Sequence, residues 1–151
     1  MIIDLRGNNG GYLNISYEIA KMFISKDKLI YTLQQKGSSK EYKDDTDESR
    51  SYKIVVLVNA TTASSAEILA AALHDSYGAT LVGKTTYGKG KVQTIKYLEQ
   101  TMVKYTSAIW IRPNGEGVDG VGIKPDYEVD VVYEKNNVLD KQYDKAIELL
   151  S

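Results

Sequence analysis

The 151 residues predict one α/β domain. Three observations carry that expectation. Two apolar runs of strand length, KIVVLVN (53–59) and ATLVG (79–83), are apolar throughout, as parallel strands buried on both faces are. Between them lies TTASSAEILAAALHD (61–75), whose apolar residues recur at helical spacing. After residue 83 the helical period disappears, and KVQTIKYL and MVKYTSAIWI around a short EQT link predict an additional antiparallel hairpin.

The elements follow in order. MIIDLRG is expected to be a strand ending in a glycine turn, and a buried strand at the start predicts an element before it in the natural protein. NNGG (8–11) breaks the chain. From Tyr12 to Ile24 the apolar positions Tyr12, Ile15, Ile19, Met22 and Phe23 recur at helical spacing and predict a helix. KLIYTLQQ (28–35) is expected as a strand, and the polar KGSSKEYKDDTDESRSYK as a loop whose acidic patch, Asp44 to Glu48, is solvated. The helix after Asn59 should run from Ser64 to Ser76 and bury Ile68, Leu69, Ala72 and Leu73. PNGEGVDGVG reads as a glycine-rich surface loop, and DKQYDKAIELL as a closing helix with Tyr143, Ala146, Ile147 and Leu150 on one face.

A net charge of −1 gives no footprint for nucleic acid. With no cysteine and a single histidine, disulfide frameworks and Cys- or His-rich metal sites are excluded. GKTTYGKG (83–90) matches the phosphate-binding G-x-x-x-x-G-K but has Gly90 where a magnesium-holding Ser or Thr belongs, and it leads into a strand rather than a helix. GVDGVG (117–122) lacks dinucleotide-binding spacing. The acidic patch lacks the glycine and final glutamate of a calcium loop.

Two serines stand at the mouth of the central helix. Ser64-Ser65-Ala66-Glu67 fits a capping box, which alone explains a serine there. A nucleophilic serine needs a base. His74 lies ten residues further along the same helix, roughly 15 Å away, so it cannot serve Ser64. A lysine can serve when burial favours its neutral form. Lys89 stands between two glycines at the entrance to a strand, and Gln93 follows on the same strand face, as does Lys91. GNNGG (7–11), between a strand and a helix, is either a tight turn or a nest of N–H groups suited to an oxyanion.

IIDLRGNNGG, VVLVNATTASSAEILAAALHD, VGKTTYGKGKVQTI and GVGIKPDYEV occur in this order across residues 2–130. Together they resemble the C-terminal processing peptidases, the tail-specific serine proteases. The resemblance implies a ClpP/crotonase-like α/β core and a Ser-Lys dyad extended by a glutamine. The family's lysine follows its serine by 25 positions and its glutamine follows by four more, which selects Ser64, Lys89 and Gln93 as catalytic residues. The resemblance also implies an oxyanion hole from the N–H of Gly10, with Gly11 as the alternative, and the N–H of Ser65. The usual S-A-S-A-S-E is altered here to Thr62, Ser65 and Ala66 at three positions, and Asn9 replaces the commonest proline. Asp75 matches an acidic residue of the family and is expected to be structural.

In function, the resemblance implies a serine endopeptidase that cleaves polypeptides at or near their C-terminal tails through an acyl-enzyme, with neither cofactor nor metal. Residues 1–151 would be one domain, the C-terminal part of the protease core, without the family's upstream segment and PDZ domain. The parent protein would be extracytoplasmic, and homo-oligomers are an option. The alternative is a non-catalytic ligand- or peptide-binding module of the same fold, or an inactive piece of the protease.

Overall fold

The elements follow the order of the sequence signals, with additions in polar or short segments. In the computed structural model, which describes residues 1–47, 50–134 and 137–151, the chain runs β1 (Ile2–Asp4), α1 (Leu13–Lys21), β2 (Leu29–Gln35), β3 (Ser38–Lys43), β4 (Val55–Val58) and α2 (Ser65–Ala72). A π-helical turn (Leu73–Tyr77) prolongs α2. Then come β5 (Thr80–Gly83), β6 (Lys91–Leu98), β7 (Thr101–Ile111), β8 (Tyr127–Glu128), β9 (Val132–Glu134), β10 (Asn137–Leu139) and α3 (Lys141–Leu150).

β1, β4, β5 and β8 form a parallel sheet in the order β1-β4-β5-β8. Successive side chains of β4 point to opposite faces. Val56 and Val58 join the large core with α1 and α2, whereas Val55 and Leu57 meet Ala146, Leu149 and Leu150 of α3. Both faces are covered, which explains the unbroken apolar run. The antiparallel sheet has the order β3-β2-β7-β6, so β6 is an edge strand, and Trp110 of β7 reaches the large core. The α/β class and the added β6–β7 hairpin are as expected.

Local details differ from the sequence signals. SSKEYK is β3 rather than loop. It is the outer strand of its sheet, and only Tyr42 is partly covered, so no apolar alternation marks it. In α1 the buried residues are the small Ser16 and Ala20, while Ile15 and Met22 are 51% and 54% exposed. In α3 the buried residues are Gln142 and Ala146, with Tyr143 and Ile147 exposed. Asp44 is also buried, its carboxylate accepting the N–H and hydroxyl of Thr46, whereas Glu48 lies outside the described residues.

Candidate active site

Between β4 and α2 the chain makes a tight bend. Thr62 anchors it. Its hydroxyl donates to the Leu5 carbonyl at 2.8 Å and accepts the Asn59 N–H at 3.0 Å. Ser64 follows, at φ 59° and ψ −124°. No other non-glycine residue except Asp27 has a positive φ among the described residues. Such a conformation costs a residue with a Cβ about 1–3 kcal/mol, and it lifts the side chain out of the helix that begins behind it. The Ser64 N–H donates to Glu67 Oε2 at 2.8 Å, the strong half of the capping box. The Glu67 N–H bonds to the Ser64 carbonyl at 2.8 Å.

The glycine turn after β1 docks on this bend. Gly10 has φ 91°, and a Cβ placed there would lie 2.6 Å from the Ala63 carbonyl oxygen and 2.8 Å from Ser64 Cβ. Only a glycine permits that approach. The Ala63 N–H donates to the Asn8 carbonyl at 2.9 Å, closing the junction. Of the expected oxyanion donors, Ser65 N–H, the first of α2, has no acceptor among the described residues. Gly10 N–H is bonded to the Asn8 side-chain carbonyl at 2.9 Å, and Gly11 N–H to Ser65 Oγ at 2.7 Å.

Lys89 arrives on a third segment, fixed through its backbone. Every N–H from Thr86 to Gly90 has an acceptor: Ile123 O, Thr62 O, Glu67 Oε1, Glu67 Oε2 and Asp119 Oδ1 in turn. The Lys89 and Gly90 carbonyls accept the indole N–H and the backbone N–H of Trp110, each at 3.0 Å. Glu67, fully buried at 0% exposure, holds the assembly together. Its carboxylate accepts Ser64 N–H, Gly88 N–H at 2.8 Å, Lys89 N–H at 2.9 Å and the Thr86 hydroxyl. Gly88 and Gly90 pack so closely on Gly120–Gly122 and Asp119 that a Cβ at either would come within 2.8 Å of backbone. The loop expected from its glycines to be plain surface is therefore the buttress of the Lys89 segment.

A cleft of about 290 Å³ is lined by Ser64, Ser65, Gly11, Lys89, Gln93 and Trp110, with Lys91 and Lys104 at the same wall. The structure thus brings Ser64, Lys89 and Gln93 to one cavity without joining them. Lys89 is exposed, no hydrogen bond links it to Ser64, and Gln93 Nε2 donates to Thr106 Oγ1 at 2.7 Å. The burial that the sequence asks of Lys89 is absent within this chain.

The matches to known proteins agree with this geometry. The model of peptidase family S41 matches residues 1–129. The chain belongs to peptidase family S41. It is 45% identical over 132 residues to the carboxy-terminal processing protease CtpA of Bacillus subtilis (strain 168), covering 86% of this chain and 28% of that protein. To the carboxyl-terminal-processing protease of Synechocystis sp. it is 35% identical, covering 99% of this chain and 36% of the other. The chain therefore spans about a third or less of the length of these relatives. Among solved structures, the photosystem II D1 C-terminal processing protease superposes with a TM-score of 0.79 at 31% identity, over 85% of this chain and 34% of that one. A lipoprotein from Streptococcus agalactiae shares the fold over 99% of this chain, at a TM-score of 0.78 and 20% identity. The core is the ClpP-like α/β core of the S41 proteases.

Within this S41 chain the lone histidine stands apart from the cleft. His74 bridges Asp75 Oδ1 at 2.7 Å and Asp126 Oδ1 at 3.1 Å, and these contacts raise its pKa above the usual histidine value. Burial works to raise the Asp75 carboxyl, but hydrogen bonds from His74 and Arg112 outweigh it and hold the carboxyl below its usual range. Arg112 grips both Asp75 oxygens, at 2.7 and 3.1 Å. Asp75 is thus engaged by His74 and Arg112 and does not line the cleft. Glu67 is the residue whose full role sequence reasoning missed. The capping box signalled one of its bonds, and nothing local signalled the three to residues 86–89.

Proposed function

We propose that this S41 chain carries the catalytic residues of a serine endopeptidase that cleaves polypeptides at or near their C-terminal tails. The reading rests on one observation above all: a strained Ser64 at the mouth of α2 opens on the same cleft as Lys89. Ser64 Oγ attacks the scissile carbonyl while the uncharged Lys89 amine takes its proton. The N–H groups of Ser65 and Gly10 receive the oxyanion, aided by the N-terminus of α2. Collapse breaks the C–N bond, and Lys89 returns the proton to the leaving amine. Water, deprotonated by Lys89, then attacks the ester and restores Ser64. Gln93, released from Thr106, orients the Lys89 amine.

Coverage of only 28% of the CtpA relative supports reading residues 1–151 as the C-terminal part of a protease core. In that reading an upstream segment covers Lys89, a PDZ domain presents the substrate, and the parent protein works outside the cytoplasm, alone or as a homo-oligomer. Among the described residues no helix is long and apolar enough to cross a membrane. The exposure of Lys89 and its lack of a bond to Ser64 favour one second reading, a non-catalytic peptide-binding module of the same fold.

A fluorophosphonate probe on the full-length protein separates the two. A protease labels at Ser64, loses the label in Ser64→Ala, and loses turnover in Lys89→Ala with an unchanged circular dichroism spectrum. Absence of labelling in the wild type, or near-normal turnover in Lys89→Ala, overturns the reading.

A further inference from the structure

The glycine turn packs beside Ser64 and carries two N–H groups that are held differently. Gly11 N–H is bonded across the junction to Ser65 Oγ at 2.7 Å, in a part-buried contact between residues 54 positions apart. Gly10 N–H is bonded to the side chain of Asn8, only two residues away, in an exposed contact at 2.9 Å. Ser65 is 8% exposed, so its hydroxyl is shielded from competing water. Asn8 can swing into solvent without disturbing any element. Breaking the Ser65 contact would instead free Gly11 from α2, leaving the turn tethered through the Asn8 carbonyl at Ala63.

We propose that the Ser65 side chain is a positioning residue of the oxyanion hole. By accepting Gly11 N–H it clamps the turn to the first residue of α2. Gly10 N–H is thereby left as the turn's donor to the substrate oxygen, with the Asn8 carboxamide as a placeholder that the substrate displaces. Ser65 then serves at both ends, its own N–H as the second donor and its hydroxyl as the clamp. The inference rests on the protease reading. It concerns a hydroxyl that an alanine at this position would lack, and it removes the ambiguity between Gly10 and Gly11.

The test measures kcat and KM for a C-terminal tail peptide, with the Ki of the corresponding peptide boronate, on the full-length protein. The boronate forms a tetrahedral adduct on Ser64 and so reports on the hole directly. Ser65→Ala should lower kcat about 10–100-fold, less than or comparable to deleting a donor outright, with KM within about two-fold. The boronate should weaken by the same factor as kcat. Ser65→Thr, which keeps the hydroxyl, should recover most of the loss. A Ser65→Ala protein with wild-type kcat and boronate affinity overturns the proposal, as does a folded Ser65→Thr protein that recovers nothing. If the wild type neither turns over nor takes the fluorophosphonate label, the protease reading itself falls, and the positioning role falls with it.

Discussion

Replacing Glu67 with alanine should both destabilise the chain and unseat Lys89. The carboxylate is fully buried and accepts three backbone N–H groups, from Ser64, Gly88 and Lys89, together with the Thr86 hydroxyl. Each buried donor left without an acceptor costs about 1–3 kcal/mol. Three of them set an upper range of about 3–9 kcal/mol, from which removal of a buried charge and entry of water into the vacated space subtract. The net loss should be about 3–5 kcal/mol, a large part of the 5–15 kcal/mol typical of a domain. Glu67→Gln keeps the shape, and its amide oxygen satisfies one pair of donors. Its NH2 group then faces the other pair, so about 1–3 kcal/mol should be lost. Urea unfolding followed by circular dichroism gives both values from the midpoints. In the full-length protein, Glu67→Gln should also lower kcat while the fold persists, because the Ser64 and Lys89 segments share that carboxylate. A Glu67→Ala protein within about 0.5 kcal/mol of wild type would refute the reasoning, since surface substitutions alone give changes that small.

The cluster behind the cleft makes two further predictions. Arg112 and Asp75 form a buried pair, so Arg112→Ala leaves the Asp75 carboxylate with His74 as its remaining partner and should cost about 3 kcal/mol in urea unfolding, the low end for a broken buried pair. His74 has a pKa raised by its bonds to Asp75 and Asp126, with the Arg112 guanidinium facing it and opposing the charge. Its stabilising contribution is therefore fully present below the unfolded histidine pKa of about 6.5 and is lost as pH rises through the higher folded value. The stability difference between wild type and His74→Gln should be larger at pH 5.5 than at pH 9. An equal difference at the two pH values would show that the imidazolium adds nothing.

What the sequence made legible is what depends on neighbours along the chain. The runs of β4 and β5 are apolar because both faces are covered, and the helical period of α2 begins at a recognisable cap. β3 was not legible because an outer strand exposed on nearly all sides has no reason to alternate. The periodic Ile19 of α1 and Phe23 just beyond it do pack on the core, but the buried residues of α1 are the small Ser16 and Ala20, which no hydrophobic pattern marks. Ser64, Lys89 and Gln93 were selected through family spacing, and the fold does bring all three to one cleft. Glu67, Asn8 and the Ser65 hydroxyl escaped because their partners are local only in part. The bond from Ser65 to Gly11 and the bonds from Glu67 to residues 86–89 exist only once β1, β4 and β5 lie side by side.

The strain at Ser64 can be separated from its chemistry. Its φ of 59° with ψ of −124° lies outside even the left-handed helical region, and the neighbours prevent relaxation. Gly10 packs against Ser64 Cβ, Glu67 holds the Ser64 N–H, and the Ser64 carbonyl accepts the N–H groups of Glu67 and Ile68. Rotation of the peptide would break these bonds together, so the strain persists because its surroundings over-determine it. Ser64→Ala removes the hydroxyl but keeps the Cβ and the strain. Ser64→Gly removes both, at an added cost of about 0.5–1 kcal/mol in unfolded-chain entropy. With about 1–3 kcal/mol stored in the bend, the glycine variant should be about 1 kcal/mol more stable than the alanine variant. Both should lack turnover in the full-length protein. An alanine variant at least as stable as the glycine variant would mean that the bend stores no more than the entropy cost of glycine, about 0.5–1 kcal/mol, and the presentation of the Ser64 hydroxyl would then need another cause.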